Sequence, residues 1–390
     1  MTKAPEYKVG TESLSELSEN ISEEITDTDR EFFFRVVSTD INETQQKQIL
    51  EPSGVYPRQE SVLAVHWHPE HVPMDLIAAR IDAMFPNRKQ ELIIPTQHNE
   101  ILSCGPYSGV EVDCYASGFN QKVQLLLHFE NANVEGEKAH TLKQMLAHTF
   151  RYRSSQLFDF METITRPNEE RLNEAARQTG ADADLIRFVQ IYVRKIEQLM
   201  NENYAKISPY SIKNKVLPHF FDCLRSQCGT ALIERCKTFM NAVKMIVKAN
   251  FPLHYFYRAS EVIEEARSLG AGIVIPHPEQ FWPVLLTSYD VDGVEVWNPQ
   301  SHRYTNFLVS VLNEKNRRMD SSERPLLIFM GDDTHMGEKT RNPGEQHPEK
   351  AAREIGLQPA WDDLGIRKTL ILAGTSRKQV IEEYKKRLAG

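Results

Sequence analysis

Cysteine is scarce and scattered: Cys104, Cys114, Cys223, Cys228 and Cys236 are the five found in 390 residues, and no two make a C-x-x-C pair. That is neither the spacing of a redox motif nor the density of a disulfide framework, and a reducing cytoplasm is the expected compartment. No run reaches the roughly 18 apolar residues that span a bilayer, and the first residues carry no apolar h-region, so neither a membrane span nor Sec export is expected. Positive charge is also short. A net charge of -8 argues against an extended nucleic-acid surface, yet it leaves room for a local basic pocket that holds a small phosphorylated ligand. Internal repeats are absent, and the one biased tract is 11–29, rich in Ser, Thr, Glu and Asp, which reads as a solvated arm with at most one short helix.

What is present suits a sizeable core, with 41% hydrophobic and 26% charged residues. The run 31–37 is apolar enough for a strand or a docking segment. Strand-like runs follow at 61–66, 91–95, 109–115 and 122–129, and 73–85 has helical spacing through Leu76, Ile77, Ile81, Met84 and Phe85. Strand, helix, strand implies a parallel crossover. From about Gly136 the period is helical for roughly 120 residues, too many for one connection. There 184–200 and 230–248 each gather apolar residues on one face, as in a small bundle inserted into the main domain. After Ser260, a plausible N-cap, the strand rhythm returns at 272–277, 293–298 and 325–331, and the chain closes on a Lys-rich amphipathic helix. The expected divisions are 1–60 (arm and appended segment), 61–135, the helical insertion 136–255, and 256–390.

The chemistry centres on Ser61 to His68, a short β-branched run ending in His66-Trp67-His68. A strand period of two sends both imidazoles to one face, where they make a chelating pair. Other metal-capable residues recur in or just beyond apolar runs: His98 after Leu92 to Ile94, Glu111 within Gly109 to Val112, His128 closing Val123 to Leu127, His277 closing Ile273 to Ile275, and Asp333 and His335 after Leu326 to Met330. Each alone is better explained by structure, as a satisfied core histidine, an edge charge or a turn. Eight together are another matter. Parallel strands closed into an α/β barrel bring their carboxyl ends to one face, and grouping these side chains without a cation would bury repelling carboxylates and unpaired imidazoles.

His66-Trp67-His68, Thr96-Gln97-His98-Asn99, Ser108-Gly109-Val110-Glu111, Pro276-His277-Pro278 and Asp333-Thr334-His335, in this order, resemble the successive motifs of the polymerase and histidinol phosphatase (PHP) superfamily, over about 61–130 and 256–340. The resemblance implies a distorted (β/α)₇ barrel, here with a large helical insertion. It also implies two or three Zn, Mn or Fe ions and phosphate-ester hydrolysis. The implied ligands are His66, His68, His98, Glu111, His128, His277, Asp333 and His335. The chain departs from the family at Gln97, where an Asp is usual, and in lacking Ser-Asp-Gly after the first histidine pair, for which His71 or Asp75 are the nearest substitutes. Val216-Leu217-Pro218-His219 is loosely similar to an Arg-Pro-His segment of the nucleotide-hydrolysing members, with Lys213 or Lys215 in place of its Arg. In such a site metal-activated water attacks in line, an imidazole such as His71 or His219 protonates the leaving group, and Lys215, Arg303, Lys339 and Arg341 are candidate phosphate contacts. The expected substrate is a small phosphorylated metabolite or nucleotide. An amidohydrolase-like metal hydrolase and a degenerate, non-catalytic metal-binding barrel are the alternatives. The oligomeric state is left open.

Overall fold

A computed structural model describes residues 21–390 apart from 167, 281, 283, 284, 286 and 321–323. The first half of the expected acidic arm therefore lies outside the described residues. The chain divides into two compact units, one made of Met1–Asp40 with Arg151–Pro252, the other of Ile41–Phe150 with Leu253–Gly390. No helix among the described residues is long and apolar enough to cross a membrane.

The first unit is helical. The run 31–37 is not a strand but the body of the helix Asp27–Val37. The Thr26 hydroxyl accepts from the Asp29 N–H, and the Asp29 carboxylate accepts from the Thr26 N–H, a reciprocal capping box that fixes the helix start. Phe32, Phe33 and Val37 are buried with Phe188, Tyr192, Phe220 and Phe221 of the following helices. The periodic stretches 184–200 and 230–248 form Ala183–Asn203, capped by Asp182, and Thr230–Ala249. Inside this apolar bundle Lys195 meets Asp29 at 2.9 Å, a buried pair that ties the first helix to the long one.

The second unit carries the strands β1 (Ser61–Ala64), β2 (Trp67–His68), β3 (Gln90–Ile93), β4 (Leu102–Cys104), β5 (Tyr107–Ala116), β6 (Gln121–Glu130), β7 (Gly272–Ile275), β8 (Gly293–Trp297), β9 (Leu327–Met330) and β10 (Thr334–His335). They make three open sheets, β1-β3, β10-β2 and β4-β5-β6-β7-β8-β9. No closed barrel is found among the described residues, and the strands are not all parallel, because β6 runs antiparallel to both β5 and β7. The reason is local: Ser117 to Asn120, with Asn120 left-handed at φ 49°, is too short for a crossover and turns the chain straight back. Between the sheets lie backbone bonds outside the regular strands, among them Thr96 N–H to Trp67 O (2.8 Å), Glu111 N–H to Gln97 O (3.1 Å) and Asp333 N–H to His66 O (2.9 Å). The expected crossover helix is Met74–Met84. The helix after Phe256 starts at Ala259, so Ser260 is not its cap. There the Glu261 carboxylate accepts from the Arg258 N–H instead.

Candidate metal centre

β1 stops at Ala64, so His66 and His68 do not project from one continuous strand. His68 is fixed instead by parallel pairing of β2 with β10, in which it is the register partner of His335. Register partners face the same side, and the two rings stack at 4.2 Å. The His98 ring also stacks on that of His68, at 4.4 Å, and His98 is itself bridged through its backbone to Glu111 of β5. His277 follows β7, and its ring lies 5.4 Å from that of His66. Asp333 is placed by its N–H bond to His66 O.

Two carboxylates occupy the middle. Glu111 Oε1 lies 3.8 Å from His66 Nε2 and 3.6 Å from His277 Nε2, while Oε2 lies 3.6 Å from His68 Nε2 and 2.7 Å from His98 Nδ1. Asp333 Oδ1 lies 3.7 Å from His66 Nε2, 3.5 Å from His68 Nε2 and 3.5 Å from His335 Nε2. Most of these separations are too long for hydrogen bonds. They suit atoms that share a cation, since two ligands each about 2.1 Å from one ion at a tetrahedral angle sit about 3.4 Å apart. The buried atoms His66 Nε2, both His68 nitrogens, His335 Nδ1 and Glu111 Oε1 have no hydrogen-bond partner. Buried polar groups left so are costly, and nitrogen and carboxylate donors of this kind fit Zn, Mn or Fe. His66, His68 and Glu111 form one group of convergent ligand atoms, and His68, His98 and His335 a second.

Charge is arranged to suit. Burial works against a proton on His66, but the Glu295 carboxylate beside it, with Asp333 and Glu111, raises its pKa to about 10 in the metal-free protein. Burial together with His335 and His98 lowers His68 to about 3, so its imidazole is neutral. Glu111 and Asp333 resist burial and are held well below the usual carboxylate range by the surrounding imidazoles. Asp332, buried and bonded to the Gly356 N–H, rises to about 7.

The surroundings hold these groups in place. Glu295 of β8 accepts from His66 Nδ1–H at 2.7 Å and from the His277 backbone N–H at 3.0 Å, turning His66 Nε2 toward the centre. Arg353 and Gln300 donate to Asp333 Oδ2 at 2.8 and 2.6 Å, which leaves Oδ1 facing the histidines. Asn99 is locked to Asp113 by two bonds of 2.7 and 2.9 Å. Among the described residues five non-glycines have positive φ, and Glu70, Asn99, His277 and Asp333 are four of them. Such strain costs about 1–3 kcal/mol per residue and gathers where side chains must be aimed.

The structure thus brings together His66, His68, His98, Glu111, His277, Asp333 and His335. His128 does not join them. It pairs with Gly272 at the start of β7, whereas His277 follows that strand's other end. His128 Nε2–H donates to Val65 O at 2.9 Å and Nδ1 accepts from the Tyr384 hydroxyl at 2.7 Å, which uses both nitrogens. Lys339 is buried, donates to Arg353 O and lies 3.1 Å from Glu354. Arg341 lies 3.4 Å from Glu338, and Arg303 is exposed over the Tyr304 ring. His71 Nε2 is 3.4 Å from the Thr340 hydroxyl, and Asp75 is exposed in the first turn of Met74–Met84. Lys215 and His219 belong to the helical unit. Sequence reasoning missed Glu70, Glu295, Gln300 and Arg353. Glu295 carries a signal, a carboxylate in the otherwise apolar strand Gly293 to Trp297, but nothing marks Arg353.

No family model matches the chain, and no curated protein matches it. Among solved structures, a Bifidobacterium adolescentis protein described as a "putative metal-dependent phosphoesterase" aligns at 16% identity and a TM-score of 0.38, covering 82% of this chain and 100% of that one. A likeness at that level decides nothing about the site, whose own geometry stands alone.

Proposed function

We propose that the chain is a metal-dependent phosphoesterase acting on a small phosphorylated metabolite or nucleotide. The metal part is carried by one observation, the convergence of His66, His68, His98, Glu111, His277, Asp333 and His335 at separations of mostly 3.5–3.8 Å around buried atoms without hydrogen-bond partners. The phosphate part rests on the order of the motifs from His66-Trp67-His68 to Asp333-Thr334-His335, which resembles the PHP pattern. We read the three sheets as one distorted ring of seven members, with β1 and β2 counted as one, β3 and β4, which share an edge of β5, as another, and β9 and β10 as a third. The bonds that stitch sheet to sheet support that reading.

These residues would hold divalent ions, whose Lewis acidity would acidify water and offset phosphoryl charge. Glu111 and Asp333, facing histidines on both sides, would offset part of the charge of the ions they hold. Glu295 fixes the His66 tautomer, while Arg353 and Gln300 keep Asp333 from swinging away. His71, beside Thr340, is the group we assign to protonating the leaving alkoxide. Arg341, 16% exposed, is the cation assigned to phosphoryl oxygens turned from the centre.

Elemental analysis of the purified full chain, together with turnover of p-nitrophenyl phosphate, tests this reading. Bound transition metal with turnover, both lost in His68→Ala, is the expected result. Metal without turnover sinks the phosphoesterase assignment and leaves a metal-binding protein, and a metal-replete preparation that retains no ion sinks both.

A further inference from the structure

The family's usual Ser-Asp-Gly is absent after His68, and its usual Asp is Gln97. These two departures meet in space. Gln97 Oε1 accepts the backbone N–H of Glu70 at 3.1 Å, so the amide that stands where a carboxylate was expected holds the loop that brings another carboxylate in. Glu70 sits at φ 54°, a left-handed conformation unfavourable for a side chain of its size. The loop folds the carboxylate inward: its side chain is 7% exposed, and Oε1 lies 3.6 Å from His335 Nδ1. Gly337 makes room for it, because a side chain there would collide with the Glu70 carboxylate and crowd the His71 ring.

His335 thereby repeats the arrangement of His66. In each, Nε2 faces Asp333 Oδ1, at 3.5 and 3.7 Å, and Nδ1 faces a buried carboxylate, Glu70 or Glu295. The Glu295 contact is closed at 2.7 Å and the Glu70 contact is open at 3.6 Å. A carboxylate behind a ligating imidazole sets its tautomer and raises its basicity, and losing it typically costs about 10–100-fold in metal affinity.

We propose that Glu70 is the positioning residue for His335 in the His68–His98–His335 group, as Glu295 is for His66 in the His66–His68–Glu111 group. The proposal rests on the metal-centre reading above. Two separate carboxylates then govern two cation positions, so they can be weakened one at a time.

The test is titration of the metal-stripped full chain with Co²⁺, following the visible absorption of each equivalent bound, in wild type, Glu70→Gln, Glu70→Asp and Glu295→Gln. The expected result is that Glu70→Gln weakens one equivalent by about 10–100-fold and alters its spectrum. The other equivalent keeps its wild-type affinity, Glu70→Asp recovers part of the loss, and Glu295→Gln weakens the equivalent that Glu70→Gln spares. If Glu70→Gln fails to fold, Gln97→Ala, which frees the Glu70 backbone, carries the test, with a smaller loss at the same equivalent. Glu70→Gln binding both equivalents as wild type does overturns the role of Glu70 and leaves the metal centre standing. So does a loss in Glu70→Asp equal to that in Glu70→Gln, which marks a merely structural residue. Wild type binding no Co²⁺ overturns the metal reading and this one with it.

Discussion

Two buried groups of charged side chains in the strand-bearing unit are built on opposite terms. Around Glu354, every strong donor has an acceptor. Arg80 grips both carboxylate oxygens at 2.9 and 2.6 Å and donates its other nitrogen to Ile49 O at 2.6 Å; Lys339 adds its ammonium at 3.1 Å and Ser53 its hydroxyl at 2.9 Å. These residues come from 48–53, 80 and 339–354, so the group fastens three distant segments. Around Glu111, by contrast, five histidines and two carboxylates stop short of hydrogen-bonding distance almost everywhere and keep buried atoms unsatisfied. Both are polar and both are largely buried, so burial alone does not distinguish structure from function. Whether the polar atoms are satisfied by one another does.

The comparison is broken most directly at Glu354. Glu354→Gln removes one partner of a buried ionic group and leaves Arg80 and Lys339 uncompensated, and the expected loss is about 3–5 kcal/mol, read as a shift of the urea midpoint. Metal content of the folded fraction is expected to stay at the wild-type level. Glu354→Met combined with Arg80→Met should recover part of that stability, Lys339 staying uncompensated. A double variant as unstable as the single one means that the ions do more than balance each other.

Glu111→Gln is the matching change in the other group. It withdraws a charge shared among His66, His68, His98 and His277, so metal affinity should fall by more than about 100-fold, beyond what an orienting partner costs. Unfolding midpoints of the metal-stripped protein are expected to move less than they do for Glu354→Gln, because the atoms around Glu111 are poorly satisfied already. Unchanged metal affinity with collapsed stability would place Glu111 in the same class as Glu354. One step further out, Glu295→Gln keeps the shape but not the charge behind His66, and metal affinity is expected to drop by about 10–100-fold, measured with a chromophoric chelator as competitor. A Glu295→Gln protein that loads metal normally removes the orienting role.

Much of the candidate site was legible because a metal-capable side chain at the end of an apolar run is a one-dimensional pattern, and His66, His68, His98, His277, Asp333 and His335 all have it. His128 has it too, yet it lies apart from the others. The difference is strand direction, which the residue pattern of β6 does not carry; the short turn Ser117 to Asn120 was the available sign that β6 runs back. That same turn is why a fully parallel arrangement was expected and a mixed one is found. Lys339 reads as a surface cation until tertiary contacts supply Glu354 and two carbonyls. Glu70, Gln300 and Arg353 come from irregular segments, where no period marks the inward direction. The helix Asp27–Val37 hides behind three consecutive phenylalanines, and its capping box at Thr26 and Asp29 is a better guide than its apolar content.

His128 gives the finest test, since it is a buried histidine of the satisfied kind one strand away from the unsatisfied ones. Burial lowers its pKa to about 3 from 6.5, and its bond to Val65 O does not reverse that. The unfolded chain therefore takes up the proton first as pH falls. The neutral ring's contribution is fully present above about 6.5, and stability falls between 6.5 and 3 by about 1.4 kcal/mol per pH unit for this one group. Gly272 leaves space for the Tyr384 hydroxyl that donates to the ring, where a side chain would clash. His128→Leu should cost about 1–3 kcal/mol at pH 7, because the Tyr384 hydroxyl and Val65 carbonyl lose their partner. Its unfolding free energy should also decline less steeply from pH 6.5 to 5 than that of wild type, by the slope of that one group, while metal content stays the same. Equal slopes refute the neutral, hydrogen-bonded role. If metal is lost as it is from Glu111→Gln, His128 belongs with the ligands, and the division between satisfied and unsatisfied histidines does not hold.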